Sequence, residues 1–141
     1  MYYSQKVLNR FLSPKFMGKL LNPEGVGNTQ NLKCGDVMRI YLKVSKKQGK
    51  EVISEIKFET MGCGFAIASS DMICELALGK TLEQAKKIKF SDVSSKLGEM
   101  PPQKLHCSSL AQYALQQAIL DYEKKHLKPK KAIPKKNLIL S

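Results

Sequence analysis

Residues 38–58 read MRIYLKVSKKQGKEVISEIKF, and this stretch decides the fold. Apolar side chains alternate with polar ones over residues 38–44 and again over residues 52–58, which is typical of strands with one buried face. The two runs are joined by a short polar turn containing Gly49, so we expect an antiparallel hairpin. The second strand leads directly into Gly62-Cys63-Gly64.

Helical periodicity surrounds this hairpin. We predict a short helix capped by Ser4 and closed by Pro14, a helix over 65–78 stopped by Gly79, a short helix capped by Thr81, another over 91–97, and a long last helix that begins at Cys107 or Ser108. Residues 17–33 are rich in turn signals and are expected to form a partly mobile loop within an N-terminal segment, 1–33. Residues 100–104 contain two prolines and are expected to be extended rather than helical. This order of elements predicts an α+β domain with helices on one face of a small antiparallel sheet.

Length and charge limit the organisation of the chain. Its 141 residues suffice for one domain, over 1–123, with its own core. No apolar run reaches the roughly 20 residues that cross a bilayer, and no signal peptide is recognisable, so we expect no membrane association. A cytoplasmic protein is predicted, with a processed organelle-matrix protein as the alternative.

The basic charge is concentrated at the C-terminus. The net charge is +12, and residues 123–141 hold seven lysines against one acid, which leaves the remainder at only +6. We interpret residues 124–141 as a solvated basic tail. The tail has no aromatic residue on which bases could stack, so nucleic-acid binding is not favoured.

Three of the four cysteines lie at the ends of predicted elements. Cys34 precedes the first strand, Cys63 lies at a strand-to-helix junction, and Cys107 begins the last helix. A helix N-terminus favours a thiolate, the form that binds soft metals. Asp36 and His106 would add an oxygen and a nitrogen donor, giving a mixed set suited to iron or zinc.

The cysteines also have a structural interpretation. A free cysteine is often a small buried hydrophobe, and Cys74, in the middle of an apolar helical pattern, fits that interpretation. Spacing alone leaves the other three open between metal ligands and core residues. His106 taken alone could equally be structural.

The motifs resemble those of a known family. Three segments of the chain are similar, in order, to signature segments of the IscU/NifU-type iron–sulfur scaffold proteins: Cys34-Gly35-Asp36-Val37-Met38, Gly62-Cys63-Gly64-Phe65-Ala66-Ile67-Ala68-Ser69-Ser70, and Pro101-Pro102-Gln103-Lys104-Leu105-His106-Cys107-Ser108. The resemblance runs from about residue 2 to about residue 123. It implies an IscU/SufE-like fold, with a three-stranded antiparallel sheet and helices packed on one face.

The resemblance also implies a non-enzymatic function. In this family a cysteine desulfurase passes persulfide sulfur to the scaffold, iron enters, and a labile [2Fe–2S] cluster forms for transfer to recipient apo-proteins. Carried over by motif, the ligands are Cys34, Cys63 and Cys107, with Asp36 in the site and His106 as an alternative ligand. Cys107 is the implied persulfide acceptor. Hsp70/J-type chaperones would bind the segment formed by Met100, Pro101, Pro102, Gln103 and Lys104.

A second branch of the family provides the alternative function. In that branch, the SufU-like sulfurtransferases, a zinc-bound site accepts sulfur from the desulfurase. The stretch from Cys63 to Cys107 is too short for the insertion typical of that branch, so the scaffold function is favoured. Zinc can still occupy the site of the resting or purified protein. The sequence leaves open whether the protein is a monomer or a homo-oligomer.

Overall fold

The computed structural model describes residues 3–31, 35–98 and 101–126. In chain order the elements are α1 (Gln5–Leu12), β1 (Gly25–Gln30), β2 (Val37–Lys47), β3 (Lys50–Met61), α2 (Gly64–Ala77), α3 (Leu82–Lys86), α4 (Phe90–Leu97), a 3-10 turn (Pro102–Lys104) and α5 (Leu105–His126). Within these ranges, no helix combines the length and the apolar character needed to cross a membrane.

The hairpin predicted from residues 38–58 is present as β2 and β3. The three strands form an antiparallel sheet in the order β1-β2-β3. Gly27, Ile40 and Phe58 lie opposite one another across it. Ile40 and Phe58 are fully buried, because they point to the side that the helices cover. The predicted α+β fold, with its three-stranded sheet, is therefore confirmed.

The helices α2 and α5 supply the layer that covers the sheet. Helix α2 contacts β3, and α5 crosses β1 and β2, while α1 and α4 pack against α2. The predicted apolar face of the last helix is buried: Leu110, Ala111, Ala114, Leu115, Ala118 and Ile119. One core thus extends from the sheet through both helices.

The predicted capping interactions at the helix ends are also present. The Ser4 hydroxyl accepts a hydrogen bond from the Val7 N–H at 3.2 Å and caps α1. Thr81 and Gln84 make both hydrogen bonds of a capping box at the start of α3. Gly79, with φ of +83°, follows the end of α2, and such a backbone conformation favours glycine.

The prediction of a loop throughout residues 17–33 is wrong at Gly25–Gln30, which form β1. Two glycines gave this segment too little apolar character for a strand pattern. Their lack of side chains is what lets α5 lie directly against β1. Whether part of residues 1–33 is mobile stays a prediction.

The prediction of extended structure before the last helix is also wrong in part. Residues Pro102–Lys104 form the 3-10 turn, with the Lys104 N–H donating to the Pro101 carbonyl at 2.8 Å. A proline is compatible with the first position of a helix, where its missing N–H would have no helical partner. Helix α5 therefore begins at Leu105, two residues before the earlier of the predicted starts.

Candidate functional site

Asp36 lies at the start of the hairpin, between the β1–β2 loop and the first residue of β2. Its N-terminal neighbour Gly35 has φ of +78°. The Asn31 N–H donates to the Asp36 carbonyl, and the Gly35 N–H donates to the Asn31 carbonyl, at 2.9 and 2.8 Å. These bonds join Asn31 to Gly35 and Asp36; Cys34 itself lies outside the described residues. The Asp36 side chain is only 7% exposed.

His106 and Cys107 reach Asp36 from the first turn of α5. The Cys107 Sγ lies 3.6 Å from Asp36 Oδ2 and 3.8 Å from His106 Nε2. The His106 Nε2 lies 3.4 Å from the same Asp36 oxygen. One donor atom from each of the three residues falls within 4.8 Å of the others. Thus a sulfur, a nitrogen and an oxygen from two distant segments converge on one point.

Gly62 allows the backbone next to Cys63 to lie close to Asp36. It is the N-cap residue of α2 and is half-buried. A Cβ on the preceding Gly62 would lie 2.6 Å from Asp36 Oδ1 and 2.9 Å from the Ala66 Cβ. No side chain fits at Gly62, so the backbone just before Cys63 can lie against the Asp36 carboxylate.

On its other side, Gly64 gives room for an aromatic ring. A Cβ on Gly64 would lie 3.0 Å from the ring of Tyr3, and that ring packs against Phe65 with centroids 4.8 Å apart. No local signal in the sequence links residue 3 to residue 64, so this role of Tyr3 was not predicted. The two glycines around Cys63 thus admit a carboxylate on one side and an aromatic ring on the other.

Burial dominates the electrostatics of Cys107. Desolvation raises the pKa of its thiol far above the usual range, and the charges of Cys63 and Asp36 raise it further. The prediction that the helix N-terminus makes Cys107 a ready thiolate is therefore wrong for this structure. A helix dipole acts over one turn and contributes little beside the cost of burying an uncompensated charge. A bound cation would reverse that balance.

This environment predicts slow alkylation of Cys107 in the metal-free protein. Iodoacetamide reacts with the thiolate, and Cys107 is fully buried with a raised pKa. We expect its modification rate to keep rising from about pH 8 to about pH 10, because the thiolate fraction has not levelled off. Mass spectrometry of peptides after timed labelling measures the rate. A rate that is already constant across that interval would contradict the raised pKa.

Lys104 interacts electrostatically with these groups. Negative charge at Cys63, above all, raises the pKa of its ammonium, with smaller contributions from Cys107 and Asp36. Lys104 was predicted only as part of the partner-binding segment, and its interaction with the thiols was not predicted. Of that segment, Met100 and the Gln103 side chain lie outside the described residues, Pro101 is half-buried and Pro102 is exposed.

Cys74 takes no part in this site. It lies within α2 and is fully buried, and desolvation raises its pKa well above the usual value. The prediction that Cys74 is a core residue is confirmed.

The donor set has a defined chemical character. Cysteine sulfur and histidine nitrogen suit zinc and iron, and a carboxylate oxygen is a harder ligand. Cys63 lies at the N-cap of α2 and Cys107 in the first turn of α5, and the two thiols are close enough to interact. Such a set can hold a metal ion or a small iron–sulfur unit less firmly than four thiolates would.

Comparison with known proteins identifies the family. Residues 2–129 match the NifU-like N terminal domain. The chain is 48% identical over 124 residues to an iron–sulfur cluster assembly scaffold protein IscU of Archaeoglobus fulgidus, covering 88% of this chain and 78% of that protein. It is 41% identical over 128 residues to the Escherichia coli IscU, covering 89% and 97%.

A solved structure agrees with these matches. The crystal structure of a Fervidobacterium islandicum protein, assigned as an iron–sulfur cluster assembly scaffold for the SUF system, superposes with a TM-score of 0.67. The identity is 26%, and the alignment covers 83% of this chain and 96% of that one. The family match spans nearly the whole sequence, and the fold agrees with it. This chain belongs to the family of NifU-like N-terminal domains.

Proposed function

We propose that this protein is an assembly scaffold, not an enzyme, on which a labile [2Fe–2S] cluster is built and then passed to apo-proteins. The observation that carries the proposal is the convergence of Asp36, His106 and Cys107 within 4.8 Å, with Cys63 at the adjacent N-cap of α2. Cys34, two residues before Asp36 in the sequence, would complete a set of three thiolates. The relatives named as IscU scaffold proteins support this function.

Sulfur would enter through Cys107. Its thiolate attacks the terminal sulfur of a persulfide carried by a cysteine desulfurase, so that a new S–S bond forms on Cys107. The old S–S bond breaks, and its electron pair leaves with the desulfurase thiolate. Burial raises the pKa of Cys107, so its proton must leave first. The thiol donates to Asp36 Oδ2 at 3.6 Å, and His106 Nε2, 3.8 Å from the sulfur, accepts the proton in the tautomer that leaves this nitrogen unprotonated.

Reconstitution tests the proposal. Anaerobic incubation with ferrous iron, cysteine and a cysteine desulfurase is expected to produce visible absorption and circular dichroism of a [2Fe–2S] cluster. Iron and sulfide should be found in equal amounts. Adding an apo-ferredoxin should move that signal to the recipient. If the protein gains no acid-labile sulfide, or the sulfide never reaches a recipient, the scaffold function is wrong.

Asp36→Ala is expected to trap the cluster rather than prevent its assembly. The carboxylate adds negative charge 3.6 Å from the Cys107 sulfur and is a hard ligand, so its removal should favour sulfur ligation. We predict transfer to an apo-ferredoxin at least about tenfold slower, which corresponds to about 1.4 kcal/mol. The rate of transfer is measured by following the circular dichroism of the mixture over time.

Two control variants make that prediction specific. Asp36→Asn keeps the size of the side chain and removes its charge, and it should slow transfer in the same direction. Asp92→Ala removes an exposed carboxylate in the first turn of α4 and should leave the transfer rate unchanged. Faster loss of the cluster from Asp36→Ala would show that Asp36 retains the cluster instead of releasing it.

The second candidate is a zinc-bound sulfur acceptor that works with the desulfurase. Two observations favour it: the mixed sulfur, nitrogen and oxygen set suits zinc, and the similar Fervidobacterium structure is assigned to the SUF system. In that case zinc-loaded protein would raise the rate of desulfurase turnover, and no transferable cluster would form. The iron reconstitution therefore separates the two functions.

Three kinds of partner follow from the scaffold proposal. Sulfur requires a cysteine desulfurase, and release requires recipient apo-proteins. The segment Met100–Lys104 is proposed to bind Hsp70/J-type chaperones. A cytoplasmic location is retained as a prediction, and relatives named as mitochondrial also occur, for example in Kluyveromyces lactis.

A further inference from the structure

A basic cleft lies on the side of the molecule formed by α1, α2 and α4. It has a volume of about 460 Å³. Lys6 and Arg10 reach it from α1, Lys15 from the residues that follow α1, and Lys96 from α4. Met72 of α2, only 6% exposed, contributes an apolar part of the wall.

The cations of this cleft differ in how far their charges are already neutralised. Arg10 donates to the fully buried carboxylate of Asp71 at 2.8 Å and also bonds Glu75. Lys15 Nζ lies 3.9 Å from Glu75 and is 68% exposed. Lys6 and Lys96 are exposed. Four cations therefore face two carboxylates, which leaves an excess of two positive charges, and Arg10 is the fixed member.

The cleft is well separated from the thiol site. Met72 is nine residues beyond Cys63 along α2, which corresponds to about 13 Å of helix at 1.5 Å per residue. None of the cations that line the cleft belongs to the group around Asp36, His106 and Cys107. A partner in the cleft could therefore remain bound while the thiols react.

We infer that this cleft, lined by Lys6, Arg10, Lys15 and Lys96, docks an acidic segment of a partner protein. The three exposed lysines belong to three different parts of the chain around the cleft. Separate carboxylates along a peptide can each pair with one of them, whereas a compact phosphate has only one centre of charge. An apolar side chain between the carboxylates would contact Met72.

Charge disfavours two alternative occupants, the basic tail and a second copy of the chain. The tail 124–141 of this chain is rich in lysine and has the same sign as the cleft. A second copy of the chain brings a net charge of +12, so association through this cleft would bring like charges together. The occupant is therefore a different protein with an acidic surface segment.

A binding experiment on the full-length metal-free protein tests the inference. The probe is a fluorescein-labelled peptide in which glutamates alternate with leucines, and fluorescence anisotropy reports its affinity at low salt. The cleft variant carries Lys6→Gln, Lys15→Gln and Lys96→Gln together. We expect it to bind the peptide at least about tenfold more weakly, as the loss of three charge pairs requires.

The matched control removes the same charge elsewhere. Lys46→Gln, Lys47→Gln and Lys50→Gln neutralise three exposed lysines at the tip of the β2–β3 hairpin, and this variant should bind the peptide nearly as well as the unchanged protein. Equal weakening by both variants would show only general attraction to the basic chain and would overturn the inference. So would absence of peptide binding to the unchanged protein.

A third arm distinguishes a phosphate site. Pyrophosphate binding is measured separately by isothermal titration calorimetry on the unchanged protein and on both variants. If pyrophosphate binding weakens in the cleft variant alone, while peptide binding weakens equally in both variants, the cleft is an anion site and the inference is wrong. Because no cluster is present in these measurements, their failure would leave the scaffold proposal untouched.

Discussion

Cys63→Ala and Cys107→Ala are each expected to abolish assembly of a stable cluster, as is Cys34→Ala. Cys107 supplies a sulfur donor 3.6 Å from Asp36 Oδ2, and Cys63 is the N-cap residue of α2. A [2Fe–2S] cluster that is already short of four thiolates loses firm ligation when another is removed. We expect visible absorption after anaerobic reconstitution to fall below about one-tenth of that of the unchanged protein, because the remaining ligands no longer hold the cluster firmly.

Cys74→Ala is the matched control for these substitutions. It removes a thiol from the buried part of α2, the helix that has Cys63 as its N-cap residue. The small cavity should lower stability by about 1 kcal/mol without changing the iron and sulfide content. Thermal melts of all four variants separate loss of folding from loss of ligands. A cluster of unchanged stability in Cys63→Ala or Cys107→Ala would remove that residue from the ligand set.

The sequence predicted the fold best where the local pattern of apolar residues matches the side chains that are buried in the structure. Alternation over residues 38–44 and 52–58 predicted β2 and β3, since side chains on one face of a strand repeat every second residue. The Thr81–Gln84 capping box and the apolar face of the last helix were also predicted correctly. Each of these features depends on residues close together in the chain.

The geometry of the candidate site depends on contacts between distant residues. The motifs named Asp36, His106 and Cys107 as members, but their convergence requires α5 to cross the sheet beside the start of β2. The raised pKa of Cys107 follows from burial beneath other elements. The order of residues along the chain shows neither how deeply a thiol is buried nor which residues surround it.

Strand β1 shows the same limit at the level of the fold. Its inward positions are Gly25, Gly27 and Thr29, which give no apolar alternation, and glycine disfavours strands. What holds β1 is external to it. The Val26 N–H donates to Asp121 of α5 at 2.9 Å, and the Thr29 hydroxyl donates to the Leu110 carbonyl at 3.1 Å. The two glycines allow α5 to lie close to β1; they do not favour the strand conformation itself.

Gly27→Val is therefore expected to destabilise the protein severely. A Cβ at Gly27 would lie 2.1 Å from the Ala114 carbonyl oxygen and 2.4 Å from the Ala118 nitrogen. These are backbone atoms of a helix, so they cannot move aside as a side chain could. We expect the free energy of unfolding to fall by about 3 kcal/mol or more, and the melting temperature to fall by roughly 10 °C.

The effect should also reach the candidate site, because α5 carries both Cys107 and His106 in its first turn. If β1 and α5 are forced apart, the Asp36 carboxylate at the start of β2 and the Cys107 thiol in the first turn of α5 are no longer held at their present distance. Gly27→Ala, with a single methyl, should give a smaller loss of about 2 kcal/mol and allows cluster assembly to be measured in a folded protein. Gln30→Val, at an exposed position of the same strand, should change stability by less than about 0.5 kcal/mol. A Gly27→Ala variant as stable as the unchanged protein would mean that α5 does not lie directly against β1.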